Sequence, residues 1–319
     1  MMDRQKNTTA KILRVALLFV LFNAALFALL CRAQWVLRDK SYSGAQDRFR
    51  QWKPASADLV FIGNSHNFCT IDPDLLYEEY GIESFMLSTS AQTIPMSYYA
   101  AMEAIELRRP KTIVLELSYV ANDFMTVGQG MDNSFFDGMP LCSAKKAAIE
   151  DLYEKEDRIW YYLPMGLYHG RWKNLTEADY RDFQLTKRGT FHAGEVYQNR
   201  PIPLVDEGER MPMPERMEEY LIRLMDLCEE EGVRLLLYVA PFNSLYDSED
   251  AVADLQNRQR MFNDACALAS ERGIRVRNLF YELEDLGIDD STDWRDEAHF
   301  NDNGQAKVTR YLADTGFFS

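Results

Sequence analysis

Hydrophobic and polar positions follow two rhythms along this chain. Short unbroken apolar runs, bounded by Gly, Pro or charge, read as strands buried on both faces. They fall at Asp58–Ile62 (DLVFI), Thr112–Leu117 (TIVLEL) and Arg234–Val239 (RLLLYV), with further strands expected at Ser84–Leu87 and, last, at Ile274–Leu279. Between them, apolar residues recur at helical spacing. Asp72-Pro73 predicts a helix start, with Asp as capping acceptor and Pro in the first turn, and Gly81 is the expected stop. Helices are also expected at Ser97–Leu107, Glu215–Glu231, Asp250–Arg272 and Gln305–Ala313. In Glu215–Glu231, the residues Tyr220, Leu221, Leu224 and Cys228 share one side. Strands alternating with helices predict an α/β fold of three layers, with about five parallel strands covered on both faces.

The rhythm breaks between Tyr119 and Pro214. This stretch, 120–213, is rich in charge and in aromatics (Phe135, Phe136, Trp160, Tyr161, Tyr162, Tyr168, Trp172). It is expected as a partly helical insertion over the carboxyl edge of the sheet. A cap that completes the core and a surface for substrate or partner carry equal weight.

The N-terminus has a different pattern. Val15 to Cys31 (VALLFVLFNAALFALLC) contains no charge and one amide, Asn23. As a helix it spans roughly 25 Å, slightly short of a ~30 Å hydrocarbon core. Trp35, Val36 and Leu37 extend it into the interface, where Trp is favoured. A cleaved signal peptide is the rival reading, but Arg32 stands just before the best cleavage position, after Ala33. Leu30 is too large to precede a lipoprotein Cys31. Residues 1–40 are therefore expected as a cytoplasmic stub and transmembrane anchor, 41–56 as a polar tether, and 57–319 as an extracytoplasmic body.

Charge sharpens the division. The chain carries a net −15, yet residues 1–40 hold seven Lys/Arg against two acids, so the rest carries −20. A body this acidic excludes nucleic-acid binding, which needs a positive surface. It also excludes a broad electrostatic footing on anionic lipid. The five cysteines show no disulfide or zinc spacing, and the four histidines show no ligand spacing. No metal or cofactor is expected. His169 and His192 are expected at the surface or in packing.

Two segments carry candidate chemistry. Gly63-Asn64-Ser65-His66 follows the first strand directly, so Ser65 stands at the carboxyl end of a sheet strand, where doubly wound folds bind ligands. Near the far end lies Asp293-Trp294-Arg295-Asp296-Glu297-Ala298-His299-Phe300-Asn301, then Gly304. A serine nucleophile needs a base, and the base needs a carboxylate to fix its tautomer. Asp296, three residues before His299, can orient it; Asp293 competes for that role.

Phe61–His66 (FIGNSH) and Asp296–Asn301 (DEAHFN) together resemble the SGNH (GDSL-like) hydrolase superfamily, across roughly residues 57–313. The likeness is greatest to its membrane-anchored envelope branch, which includes the D-alanine transfer protein of teichoic-acid modification and the alginate O-acetyltransferase proteins. The resemblance implies a flavodoxin-like fold with Ser65 as nucleophile, His299 as base and Asp296 as orienter. It places Ser88 at the oxyanion-hole glycine position, its backbone N–H acting beside that of Ser65. The family's oxyanion-hole asparagine has no counterpart, because the third strand ends in Glu116-Leu117-Ser118-Tyr119. Asn64, His66, Gln92 and Glu116 are candidates to line the site; Glu116 serves equally as a structural carboxylate.

The resemblance further implies a bacterial, single-pass membrane protein that transfers an acyl group through an acyl-Ser65 intermediate. The acceptor would be a cell-envelope polysaccharide, teichoic acid or other polyol, and the partner a multi-pass membrane-bound O-acyltransferase. An esterase or deacetylase using water, and a non-catalytic scaffold, remain the alternatives.

Overall fold

The computed structural model describes residues 2–38, 48, 49, 52, 57–163, 165–181, 186–245 and 248–319. Most of the expected tether, 41–47 with 50, 51 and 53–56, lies outside the described residues. The chain divides into two compact units, 1–40 with 159–182 and 41–158 with 183–319. The stretch 120–213, expected as one insertion, is thus shared between them.

The first unit is built on helix α1 (Met2–Leu37). Its segment Lys11–Leu37 is long and apolar enough to cross a membrane. The side chains of Leu17, Phe19, Phe22, Phe27 and Leu29 are all exposed. A helix end leaves backbone carbonyls without partners. Here Arg171 supplies donors, its Nη1 reaching the carbonyls of Leu37 at 2.8 Å and Arg38 at 2.5 Å. Its Nη2 binds Asp179 at 2.8 Å.

The second unit holds a five-stranded, all-parallel sheet in the order β2-β1-β3-β4-β5. The strands are β1 (Leu59–Ile62), β2 (Ser84–Met86), β3 (Thr112–Glu116), β4 (Arg234–Val239) and β5 (Arg275–Asn278). β1 and β3 are buried at every position, as unbroken apolar runs demand when helices cover both faces. The chain leaves β1 for β2 on one side and returns to β3 on the other, so the order reverses beside β1. That reversal opens the crevice in which such sheets bind ligands.

Capping residues fix where the helices begin. α2 (Ser65–Phe68) is a single turn capped by Asn64, and the sequence pattern did not predict it. α3 (Pro73–Tyr80) starts at the expected Asp72 cap, whose carboxylate accepts from the Asp74 and Leu75 N–H groups. α4 (Ile94–Leu107) starts three residues ahead of expectation, because the Thr93 hydroxyl caps it through the Met96 N–H. α5 (Gln129–Phe136) and α6 (Ser143–Leu152) belong to this unit, and Phe135 and Phe136 are fully buried in it. α7 (Glu215–Glu230) buries Tyr220, Leu221, Leu224 and Cys228, the side its periodicity predicts. α8 (Glu249–Glu271) is capped by Ser248, and α9 (Asp302–Asp314) by Asn301, three residues ahead of expectation.

The described part of 41–56 is not a solvated tether. Arg48, Phe49 and Trp52 are fully buried in the sheet unit. Phe49 meets Phe135 edge-on at 5.4 Å, and Trp52 lies 5.4 Å from Phe85. The Arg48 guanidinium lies over the Phe68 ring at 4.4 Å and donates to the carbonyls of Ser88 (2.5 Å) and Gly189 (3.3 Å). Two aromatics in a polar stretch gain more from burial than hydration returns.

Candidate active site

β1 delivers the chain to Gly63, where the backbone turns with φ +153°. A Cβ there would lie 3.0 Å from the Glu116 Cβ, so the turn needs glycine for both its conformation and its space. The α2 turn follows at once. The Asn64 side-chain oxygen accepts from the His66 N–H at 2.8 Å, while its amide nitrogen donates to Ser118 Oγ at 2.9 Å and Glu116 Oε2 at 3.2 Å. This clamp sets Ser65 at the first helical position, where its backbone N–H has no acceptor within the helix.

Glu116 lies beneath the turn. Its carboxylate also accepts from the Ser118 N–H (2.8 Å), the Ser118 hydroxyl (2.7 Å) and the Ala240 N–H (3.3 Å). Burial drives its pKa up to about 7 against the pull of those donors. Of the two roles considered for Glu116, it fills the structural one: it joins the ends of β3 and β4 to the serine turn.

The distal segment meets this turn. His299 Nε2 lies 2.8 Å from Ser65 Oγ, and Nδ1 lies 2.8 Å from Asp296 Oδ1 and 3.1 Å from Oδ2. The Ala298 and His299 N–H groups both donate to Asp296 Oδ1 at 2.9 Å. Burial tends to raise the Asp296 pKa, but the bonds from His299 and the Ala298 amide outweigh it and hold the carboxyl below its ordinary value. Asp293 does not share the role. Its carboxylate accepts from the Asp289 N–H (2.7 Å), the Thr292 hydroxyl (3.0 Å) and Lys307 Nζ (2.6 Å). It fastens the loop to α9.

The loop itself folds back on its own residues. Trp294 packs at a tilt against Phe300 at 4.4 Å, and the Asn301 amide donates to the carbonyls of Glu195, Thr292 and Trp294. A Cβ at Gly304 would strike the Asp293 carbonyl and the Phe300 ring. Gln305 then ties α9 to the end of the serine turn by donating to the carbonyls of Phe68 (2.8 Å) and Ile71 (3.0 Å).

Other candidates take supporting positions. Ser88 is fully buried; its hydroxyl accepts from Asn67 Nδ2 at 2.8 Å and its carbonyl from Arg48. Asn67 in turn accepts from the Tyr238 hydroxyl at 2.7 Å. Gln92 does not line the serine. It spans its own loop, accepting from Thr89 N–H and Oγ1 and donating to Ser97 Oγ. The His66 ring stacks on His299 (4.9 Å) and meets Phe242 at a tilt (4.8 Å). Burial, then the neighbouring His299, lowers its pKa to about 3. Its Nδ1 is buried with no hydrogen-bond partner among the described residues.

Sequence reasoning missed Asn67, Ser118, Tyr238 and Phe242. Asn67 directly follows the Phe61–His66 motif and Ser118 lies in the Glu116–Tyr119 stretch, but their roles depend on partners more than 20 residues away. A scan of this chain against family models, and a search of curated proteins, return no match.

Proposed function

We propose that this protein is a membrane-anchored serine acyl-transfer enzyme of the SGNH type, acting outside the cytoplasmic membrane of a bacterium. One observation carries the reading: the unbroken relay from Ser65 Oγ through His299 to Asp296, with 2.8 Å at each link. His299 Nε2 accepts the Ser65 proton as Oγ attacks an ester or thioester carbonyl. Asp296 holds the tautomer that leaves Nε2 free and stabilises the imidazolium. The alcohol or thiol of the donor departs with the proton from His299, leaving an acyl-Ser65 ester.

The negative charge on the tetrahedral oxygen needs preorganised donors. The Ser65 and Ser88 backbone N–H groups are the candidates. The Ser88 peptide is fixed through its hydroxyl by Asn67 and through its carbonyl by Arg48, which supports that role. In the second half-reaction, His299 activates the hydroxyl of a cell-envelope glycan or polyol, which takes the acyl group. The apolar Lys11–Leu37 helix supports a single-pass anchor that keeps the enzyme near membrane-linked polymers. A multi-pass membrane-bound O-acyltransferase is the proposed acyl supplier. A relay with all three side chains in bonding distance is more than a docking scaffold requires.

The test is intact-mass spectrometry of the full-length protein in detergent after exposure to a fluorophosphonate. A single adduct on Ser65, absent from Ser65→Ala and much slowed in His299→Ala, is expected. An unmodified Ser65 in the wild type, with the protein folded, would overturn the reading.

A further inference from the structure

The first unit changes character at a definite level along α1. From Lys11 to Arg32 every residue of the helix is exposed. From Ala33 to Leu37 the helix is partly covered, and Arg38 is buried. A ~30 Å hydrocarbon core takes about 20 helical residues, so a span that begins after Arg14 ends near Gln34. The cover therefore starts where the hydrocarbon would stop. Three segments of the same unit pack against α1: Met165–Tyr168, His169–Lys173 and Glu177–Tyr180. Arg171 fixes them to its end by holding the carbonyls of Leu37 and Arg38, and Asp179 holds Arg171. Asp179 is itself buried and closes its turn, accepting from the Thr176 N–H at 2.8 Å and hydroxyl at 3.1 Å.

The exposed side chains of this cover have the chemistry of a membrane interface. Residues 159–182 include two Trp and four Tyr, and Ile159, Trp160, Leu163, Trp172 and Tyr180 are exposed. Large apolar side chains left in the open beside a span mark a surface that meets lipid or protein. Trp and Tyr are favoured at headgroup level, where the ring leaves water while its polar edge stays hydrated. Cations lie over two indoles of the unit, Arg32 over Trp35 at 3.9 Å and Lys173 over Trp172 at 5.6 Å. Long cationic side chains at a span's end reach from apolar surface toward the headgroups in this way. Charge agrees. Within 159–182 three Lys/Arg balance three Asp/Glu, so the acidic excess that bars the rest of the body from anionic lipid is absent here.

We infer that residues 159–182 form an interfacial collar, which seats the exit end of α1 at headgroup level and buries Trp160, Leu163, Trp172 and Tyr180 in the lipid of the membrane that α1 crosses. The inference rests on the reading of α1 as a membrane span. Continuity with that span selects lipid over a partner protein. A segment fastened to the last turn of the span is held at the interface whether or not a partner is present. The collar also answers the shortness of the uncharged stretch Val15–Cys31, because anchors that flank a short span hold its depth and limit its tilt.

The test reads the depth of the two exposed indoles. Full-length protein is reconstituted in phosphatidylcholine nanodiscs, with or without phosphatidylcholine spin-labelled at its headgroup, which quenches indoles at that level. In a Trp35→Phe background the remaining indoles are Trp160, Trp172 and the fully buried Trp52 and Trp294. Labelled lipid is expected to quench most of the emission from Trp160 and Trp172. The quenching should vanish in Trp35→Phe/Trp160→Phe/Trp172→Phe. Phe keeps a ring at each site, so that loss reports the missing indoles rather than a missing collar. High salt should leave the quenching unchanged, since aromatic burial rather than ion pairing holds the collar; quenching lost in salt would overturn that chemistry. Indoles that ignore labelled lipid in disc-bound protein would overturn the collar, and their quenching by aqueous iodide would leave the surface to a partner protein. A triple variant quenched as strongly as its parent would overturn it too. Failure of the span is read separately. Protein that does not co-elute with the discs, or that alkaline carbonate strips from vesicles, has no transmembrane α1, and the collar falls with it.

Discussion

The imidazoles of His66 and His299 stack with ring centroids 4.9 Å apart and planes 24° from parallel. Two imidazoles in such contact cannot both carry charge at low cost. Burial and the neighbouring ring keep His66 neutral, lowering its pKa to about 3.

This predicts an acid-stability effect. Unfolded His66 takes up a proton near pH 6.5, and folded His66 does so only near 3. Its contribution to stability is therefore fully present above about pH 6.5 and is lost as pH falls toward 3. His66→Phe retains a stacked ring without the titration. Its urea midpoint should fall less steeply than wild type between those pH values. His66→Lys puts a cation beside His299 and should slow fluorophosphonate labelling roughly tenfold.

The two aspartates of the distal loop should separate cleanly. Asp296→Asn leaves His299 without its carboxylate and should slow labelling of Ser65 by roughly 10³–10⁴-fold with little change in melting temperature. Asp293→Asn loosens the loop from Lys307 and the Asp289 amide. It should cost about 1–3 kcal/mol of stability, read by denaturant unfolding, and slow labelling far less. The opposite ranking would transfer the orienting role to Asp293.

Asn64 serves the fold and the site together. Asn64→Ala removes the cap of the serine turn and two donors to the Glu116–Ser118 cluster. A stability loss of about 1–2 kcal/mol is expected, accompanied by slower labelling because Ser65 is no longer held. Asn64→Asp keeps the capping oxygen but sets a second carboxylate against Glu116. It should lose more stability at pH 8 than at pH 5, since burial already lifts Glu116 to about 7.

Glu103 is buried on α4, and neither carboxylate oxygen has a hydrogen-bond partner among the described residues. Burial, then the nearby Glu106, raises its pKa to about 8. The unfolded chain releases this proton near pH 4.5, so stability is fully present below that pH and is lost as pH rises toward 8. Glu103→Met should remove that slope and gain about 1–3 kcal/mol at pH 9, measured by denaturant midpoints. A pH dependence identical to wild type would show that Glu103 is not the group responsible.

What the sequence determined by itself was local. Apolar runs placed β1, β3 and β4 to within a residue or two, because burial on both faces leaves no room for polar alternation, while the half-exposed β5 (RVRN) was placed by its position between a helix stop and the closing helix. Asp72-Pro73 located a helix start, because a cap and its first turn are chain neighbours. Ser65 and His299 stood out through their immediate motifs, as did Asp296, whose distance of three residues from His299 lets one turn join them. Tertiary structure decided whatever depended on distant partners. Lys307 claimed Asp293 and left Asp296 to orient the histidine. Arg48 reached carbonyls 40 and 141 residues away, so a stretch that reads as polar tether is anchored in the core. A cavity beside His66 joins residues from β1's turn, the segment after β3 and α8, which become neighbours only when the parallel sheet aligns their ends. Periodicity and capping act within a few residues, whereas desolvation and ion pairing choose among partners that only the folded chain brings together.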